Sequence, residues 1–172
     1  MTETTILDEL TYHPESGSLR YQNVRYLLIR PETLAALQTA LEAEIGTQRA
    51  GEILFEAGFT GGQLSARKYK ETFGFEDRQV VEFMCRMGGE IGWGHFRLTE
   101  MDTEAQRLVV SIDQSPFALA YPSKAHAGVC HFTRGVMAGV ASGIFHEATA
   151  ALEPLCVAKG DPRCQFVIES RK

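Results

Sequence analysis

The sequence predicts an α+β fold, an antiparallel sheet with helices packed on it, from three observations. Short stretches with alternating apolar residues occur in pairs, as in hairpins. Stretches with apolar residues three and four apart stand between those pairs. Most connections between successive strands are too short for the crossover that a parallel pair needs. The 172 residues suit one domain, read as 17–172, with residues 1–16 as a polar, unperiodic and flexible lead-in.

Ser18–Tyr21 and Val24–Arg30 read as two strands about a Gln22-Asn23 turn, the second rich in aromatic and branched side chains. Pro31 stands where a helix start tolerates it. Glu32–Ile45 then places Leu34, Leu37, Leu41 and Ile45 at helical spacing before Gly46, a C-cap residue. A second helix, Gln48–Phe59, carries Ala50, Ile53, Leu54 and Ala57 on one face. Gly61-Gly62 predicts a break, with a third helix over Gln63–Thr72. Glu76–Ile91 opens with acidic residues that suit the helix dipole and carries a stripe of Val80, Phe83, Met84, Met87 and Ile91. Trp93–Thr99 and Arg107–Ile112 alternate and read as a hairpin. Asp113–Gly128 contains Pro116 and Pro122 and little periodicity, the pattern of a lid or binding loop. A helix follows over His131–Ala148. The tail reads as a hairpin from Leu152–Cys156 to Gln165–Ser170, turning at Lys159-Gly160-Asp161-Pro162.

Lys and Arg number 17 against 22 Asp and Glu, a net charge of −5, and no stretch gathers the basic residues. That balance argues against direct nucleic-acid binding, because neutralising phosphates needs a basic face. No apolar run is long enough to span a membrane. The acidic N-terminus lacks the apolar stretch of a signal peptide. The expected compartment is the reducing cytoplasm, where thiols serve as metal ligands or buried apolar groups rather than as disulfides. GxGxxG, P-loop and GxSxG motifs are absent, so no enzyme class is marked.

The four cysteines are Cys85, Cys130, Cys156 and Cys164. A turn centred on Gly160 sets Cys156 opposite Cys164. Opposed Cα atoms lie about 4.5–5.5 Å apart, close enough for two sulfurs to share one metal ion. Two thiolates leave a tetrahedral site half filled. Cys130, ahead of a helix whose N-terminus stabilises a thiolate, is a third candidate. Glu153 is a fourth, although strict alternation puts it on the opposite face from Cys156 unless Pro154 distorts the strand. His126, His131 and His146 are its rivals. The plainer alternative is that all four thiols are small buried apolar groups.

The tail CVAKGDPRCQFVI, the preceding Glu153 and the spacing Cys-x25-Cys-x7-Cys from Cys130 resemble the 4-vinyl reductase domain family over residues 24–170. That family includes a bacteriochlorophyll-biosynthesis protein and the sensor domains of phenol- and xylene-responsive activators. The resemblance implies a structural zinc ion on Cys130, Glu153, Cys156 and Cys164, with Cys85 left in the core. It also implies a fold similar to that of vesicle-tethering TRAPP subunits, and an apolar cavity for a hydrophobic, aromatic or tetrapyrrole-like molecule. The candidate liners are Phe83, Met87, Trp93, His95, Phe96, Val110, Phe117, Tyr121, Phe132, Val136 and Val140. The first reading is therefore a sensor, carrier or accessory module, dimeric and working through a ligand or a protein partner. An enzyme or enzyme subunit of tetrapyrrole metabolism is the second reading, and a dimeric scaffold the third.

The helix after Cys130 aligns Phe132, Gly135, Val136, Gly139, Val140 and Gly143 on one face. Three glycines inside a helix cost about 2–3 kcal/mol relative to alanine. Close packing of another backbone, room for a ligand or a dimer contact could each offset that cost.

Overall fold

The structure, a computed structural model, describes residues 5–22 and 24–171. In chain order its elements are α1 (Ile6–Glu9), β1 (Thr11–His13), β2 (Ser18–Tyr21), β3 (Val24–Tyr26), α2 (Pro31–Ile45), α3 (Thr47–Phe73) and α4 (Asp77–Glu90). They continue with β4 (His95–Asp102), β5 (Arg107–Asp113), α5 (Pro116–Leu119), α6 (His131–Phe145), β6 (Thr149–Leu155), a 3-10 turn (Val157–Lys159) and β7 (Cys164–Ser170). Helices and antiparallel strands combine as the sequence predicts.

The strands form two sheets, β1-β2-β3 and β4-β5-β7-β6, with every neighbouring pair antiparallel. In the larger sheet β5 and β7 lie at the centre. Their pairs Leu108↔Ile168, Val110↔Phe166 and Ile112↔Cys164 put six almost fully buried side chains on one face. Strand alternation makes this face the apolar one, and α6 packs on it.

The α3–α6 crossing explains the aligned glycines and corrects the expected break. A Cβ on Gly58 or Gly62 of α3 would run into the carbonyl oxygen of Phe132 or Val136 on α6. A Cβ on Gly135 or Gly139 of α6 would run into the carbonyl oxygen of Phe55 or Phe59 on α3. The two backbones interlock, so Gly61-Gly62 sits within one helix of 27 residues. Packing against α6 outweighs the local preference of the glycines to end a helix.

Within the segment read as a flexible lead-in, the described residues from Thr5 onward carry local structure. Thr5 and Asp8 form a reciprocal capping box over α1. Ile6 is 2% exposed, and its N–H donates to the Glu90 carboxylate of α4. One buried isoleucine in a polar stretch leaves no periodicity to detect. β3 stops at Tyr26, four residues short of the expected end, where its pairing with β2 ends at Leu19↔Tyr26. The following Leu27 and Leu28 are exposed, as is Leu37 on α2. Apart from Ala35, the apolar residues of α2 reach at most partial burial, which is less than their helical spacing predicts.

Candidate functional site

The β6–β7 hairpin and the start of α6 bring the four ligand candidates together. Pairing in the hairpin runs in one register through Leu152↔Val167, then shifts before Leu155↔Gln165, with Pro154 inside the shift. The irregularity turns Glu153 to the side on which Cys156 lies. Cys156 follows β6 in extended conformation, and its N–H donates to the Asp161 carboxylate at 2.8 Å. The chain then reverses at Gly160, whose φ of +99° favours glycine. Cys164 opens β7, and its sulfur accepts the Val157 N–H at 3.4 Å. Cys130 is the N-cap residue of α6, and its N–H donates to Glu153 Oε2 at 3.0 Å.

Sulfur to sulfur, Cys130 and Cys164 are 3.6 Å apart and Cys164 and Cys156 are 3.9 Å apart. All four ligand atoms lie within 4.8 Å of one another. Two sulfurs bound at 2.3 Å to a tetrahedral ion stand about 3.8 Å apart, so this spacing suits zinc and is far too long for a disulfide. The three thiols are at most 1% exposed and Glu153 is 9% exposed. Glu153 Oε1 is buried with no hydrogen-bond partner, which leaves its lone pairs free for a cation. Gly128 leaves room for the carboxylate, since a Cβ there would strike it.

The electrostatics agree with that fit. Without a cation, burial and the neighbouring Cys156 push the Glu153 carboxyl up to about 9. Hydrogen bonding with Cys156 and Cys164, then burial, pushes the Cys130 thiol well above the ordinary range. Contacts with Cys130 and Cys156 draw Cys164 down to about 4. The pocket thus favours the charged form of Cys164 and resists that of Glu153 and Cys130, and a divalent cation would remove the resistance. His126, His131 and His146 lie outside this group. Cys85 also lies outside it, buried on α4 with its thiol pushed up to about 12 by burial.

The eleven candidate liners do not meet around one cavity. Phe83 sits in an aromatic cluster with Tyr21, Tyr69, Phe73 and Phe75. Met87 Sδ accepts the hydroxyls of Tyr26 and Tyr69, each at 3.1 Å. Val110 and Val140 are fully buried, and Val136 packs on the α3 backbone. His95 and Phe96 border a shallow depression beside Cys85. Tyr121 borders a wider cleft and donates its hydroxyl to Glu42 at 2.7 Å.

Trp93, Phe117 and Phe132 do assemble. Trp93 lies edge-on to Phe117 at 5.3 Å between centroids and 5.8 Å from Phe132. Phe117 and Phe132 help to line a cavity of about 160 Å³ between α2, α3 and α6. Its other walls include Leu34, Leu37, Leu54 and Val129, with Gln38 and Thr133 as polar members. Thr133 is 1% exposed and its hydroxyl has no partner. Leu34, Leu54 and Thr133 are not among the liners expected from sequence, because the two leucines read as helix–helix contacts and Thr133 carried no signal.

Residues 6–104 match the family described as activator of aromatic catabolism, and residues 108–170 match the 4-vinyl reductase domain. The chain belongs to the activator of aromatic catabolism family. No curated protein sequence matches the chain significantly. Its fold resembles the phenol-responsive sensory domain of the transcription activator PoxR, solved with phenol, with a TM-score of 0.84 and 20% identity. That match covers 96% of this chain and 86% of the other. A vinyl-4-reductase family protein from Methanocaldococcus jannaschii matches with a TM-score of 0.58 and 15% identity, over 86% of this chain and 85% of the other. Trafficking protein particle complex subunit 3 from Naegleria fowleri, covalently bound to palmitic acid, gives 0.54 and 11%, covering 83% and 95%. The activator family therefore joins this chain to a fold in which helices pack on antiparallel sheet. Among the described residues no helix is long and apolar enough to cross a membrane.

Proposed function

We propose that the chain is a sensory module that binds a single-ring hydroxylated aromatic molecule and is braced by a structural zinc ion. The observation that carries the ligand reading is the apolar cavity of about 160 Å³ with the buried, unpartnered Thr133 hydroxyl in its wall. An engineered cavity of about 150 Å³ is large enough for benzene. A buried hydroxyl without a partner is costly, and a ligand hydroxyl would supply one. Membership in the activator family and the likeness to a phenol-responsive sensory domain support the same ligand class. A tetrapyrrole precursor is too large for this cavity.

Cys130, Glu153, Cys156 and Cys164 would hold the zinc ion, which leaves no open position and so supplies folding energy rather than chemistry. Their part is to tie the terminal hairpin to the first turn of α6, beside the cavity. A second copy of the chain is the proposed cover for the exposed Leu27, Leu28 and Leu37, and light scattering would report the dimer.

Isothermal titration with phenol tests the ligand reading. The expected result is saturable binding of one molecule per chain, weakened about tenfold by Thr133→Val. No saturable binding of phenol, or unchanged affinity in the variant, would overturn this choice of site.

A further inference from the structure

A second, wider cleft of about 900 Å³ opens between the first turns of α3 and α6, the 121–129 loop and β6. It shares only Val129 with the smaller cavity. Its charge differs from that of a chain whose net charge is −5. Lys124, Arg134 and Arg171 line it, against Glu52 and Glu56. Glu52 is engaged by Arg49 at 2.9 Å and Gln48 at 3.2 Å. Among the described residues none of the three cations has a salt-bridge partner.

Arg134 is the telling member. It is half-buried, with its guanidinium over the Phe55 ring at 5.3 Å from the centroid. Nη2 has one neighbour, His131 Nδ1, at 3.3 Å, and Nε is buried with no acceptor. The carboxylate that acts on it electrostatically, Glu153, is already held by the Cys130 N–H within the metal donor set. A guanidinium withdrawn from water without a hydrogen-bonded anion is unfavourable, and its planar fork suits a carboxylate. The rest of the lining includes Phe55, Ala125, Val129 and Ala151, which favours an organic body over a bare inorganic ion. The volume lies in the range of small-molecule sites.

We infer that this cleft is a second ligand site, for a small organic carboxylate whose charged end meets Arg134 and the rim cation Lys124 while its apolar body lies against Ala125, Val129 and Ala151. The site differs in chemistry from the neutral cavity beside it. A phenol and an aromatic acid would occupy separate places.

Titration of the full chain with benzoate, and with methyl benzoate as the neutral analogue, tests the inference. Benzoate is expected to bind saturably, with amide shifts at Ala125 and Ala151, and to weaken as salt is added. Methyl benzoate is expected to bind at least tenfold more weakly. Arg134→Met should reduce benzoate affinity at least tenfold, with Arg134→Lys between it and the unaltered protein. Lys124→Glu, a change at an exposed rim position away from the metal ligands, should reduce it severalfold and carries the test if Arg134→Met fails to fold. Absence of benzoate binding, equal binding of the ester, or unchanged affinity in Lys124→Glu and in a folded Arg134→Met would overturn the inference. Shifts at Thr133 and Leu54 instead would place benzoate in the neutral cavity and overturn it equally. Failure of phenol binding leaves each of these outcomes readable.

Discussion

Two regions fix α6 by opposite means. At its N-cap, Cys130 meets Glu153, Cys156 and Cys164, a buried group in which the Glu153 carboxyl and the Cys130 thiol resist ionisation and which could hold a metal ion. From Gly135 onward the same helix is fixed by the absence of side chains, its backbone set against that of α3 through Gly58, Gly62, Gly135 and Gly139. With the proposed zinc ion bound, the first anchor would depend on solution conditions, namely metal and pH. The second depends on shape alone. A helix held in both ways can stay in register in its middle while its N-terminal turn, which borders the small cavity, responds to chemistry.

The largest effect separating the two regions is expected from the thiols. Cys156→Ser or Cys164→Ser should abolish metal binding and lower the melting temperature by about 15 °C, since structural metal binding is folding energy. Chelation of the unaltered protein should do the same, and calorimetry with and without chelator checks both. An unchanged melt would shift the weight of the fold onto the glycine crossing.

The crossing should come next. Gly58→Ala and Gly135→Ala each force a methyl group into a carbonyl of the facing helix, and each should cost about 3 kcal/mol, or about 8 °C in melting temperature. Metal content in these variants should stay as in the unaltered protein. Gly61 faces open space, so Gly61→Ala should raise the melting temperature by about 2 °C. Opposite signs at neighbouring glycines of one helix would confirm that the crossing, and not helix propensity, decides their cost.

A smaller effect distinguishes the regions by pH. In the metal-free protein the Glu153 carboxyl is raised to about 9 from its ordinary value of 4.5, so burial favours its protonated form. The associated stability is complete below the ordinary value and is lost as pH rises toward about 9. The metal-loaded protein needs the ionised carboxylate and thiolates and gains as pH rises. The difference in melting temperature between loaded and stripped protein should therefore widen from about pH 6 to about pH 8. A narrowing difference would show that Glu153 is not ionised by the metal.

The legibility of the sequence divides along the same line. The meeting of Cys156 with Cys164 was readable because a tight turn at Gly160 leaves few ways to pair the strands. Even the displaced Glu153 had a visible cause in Pro154, and the register shift lies there. The glycine crossing was only half readable. The α6 face announced a close approach, but the matching glycines of α3 read as a helix break, because their partner lies far away in sequence. Ile6 was missed for a related reason, since its burial depends on Glu90 and α4 and not on its neighbours. The small cavity draws on α2, α3 and α6 together, and no single segment carries a pattern for it. Cys85 supplies a control on the reading of the thiols: Cys85→Ser should leave metal content unchanged.

Metal content of the folded chain tests the central claim most directly. Elemental analysis paired with X-ray absorption should give about one zinc ion per chain in a shell of three sulfurs and one oxygen. Folded protein free of metal, or a zinc ion ligated by histidine nitrogen, would contradict the account.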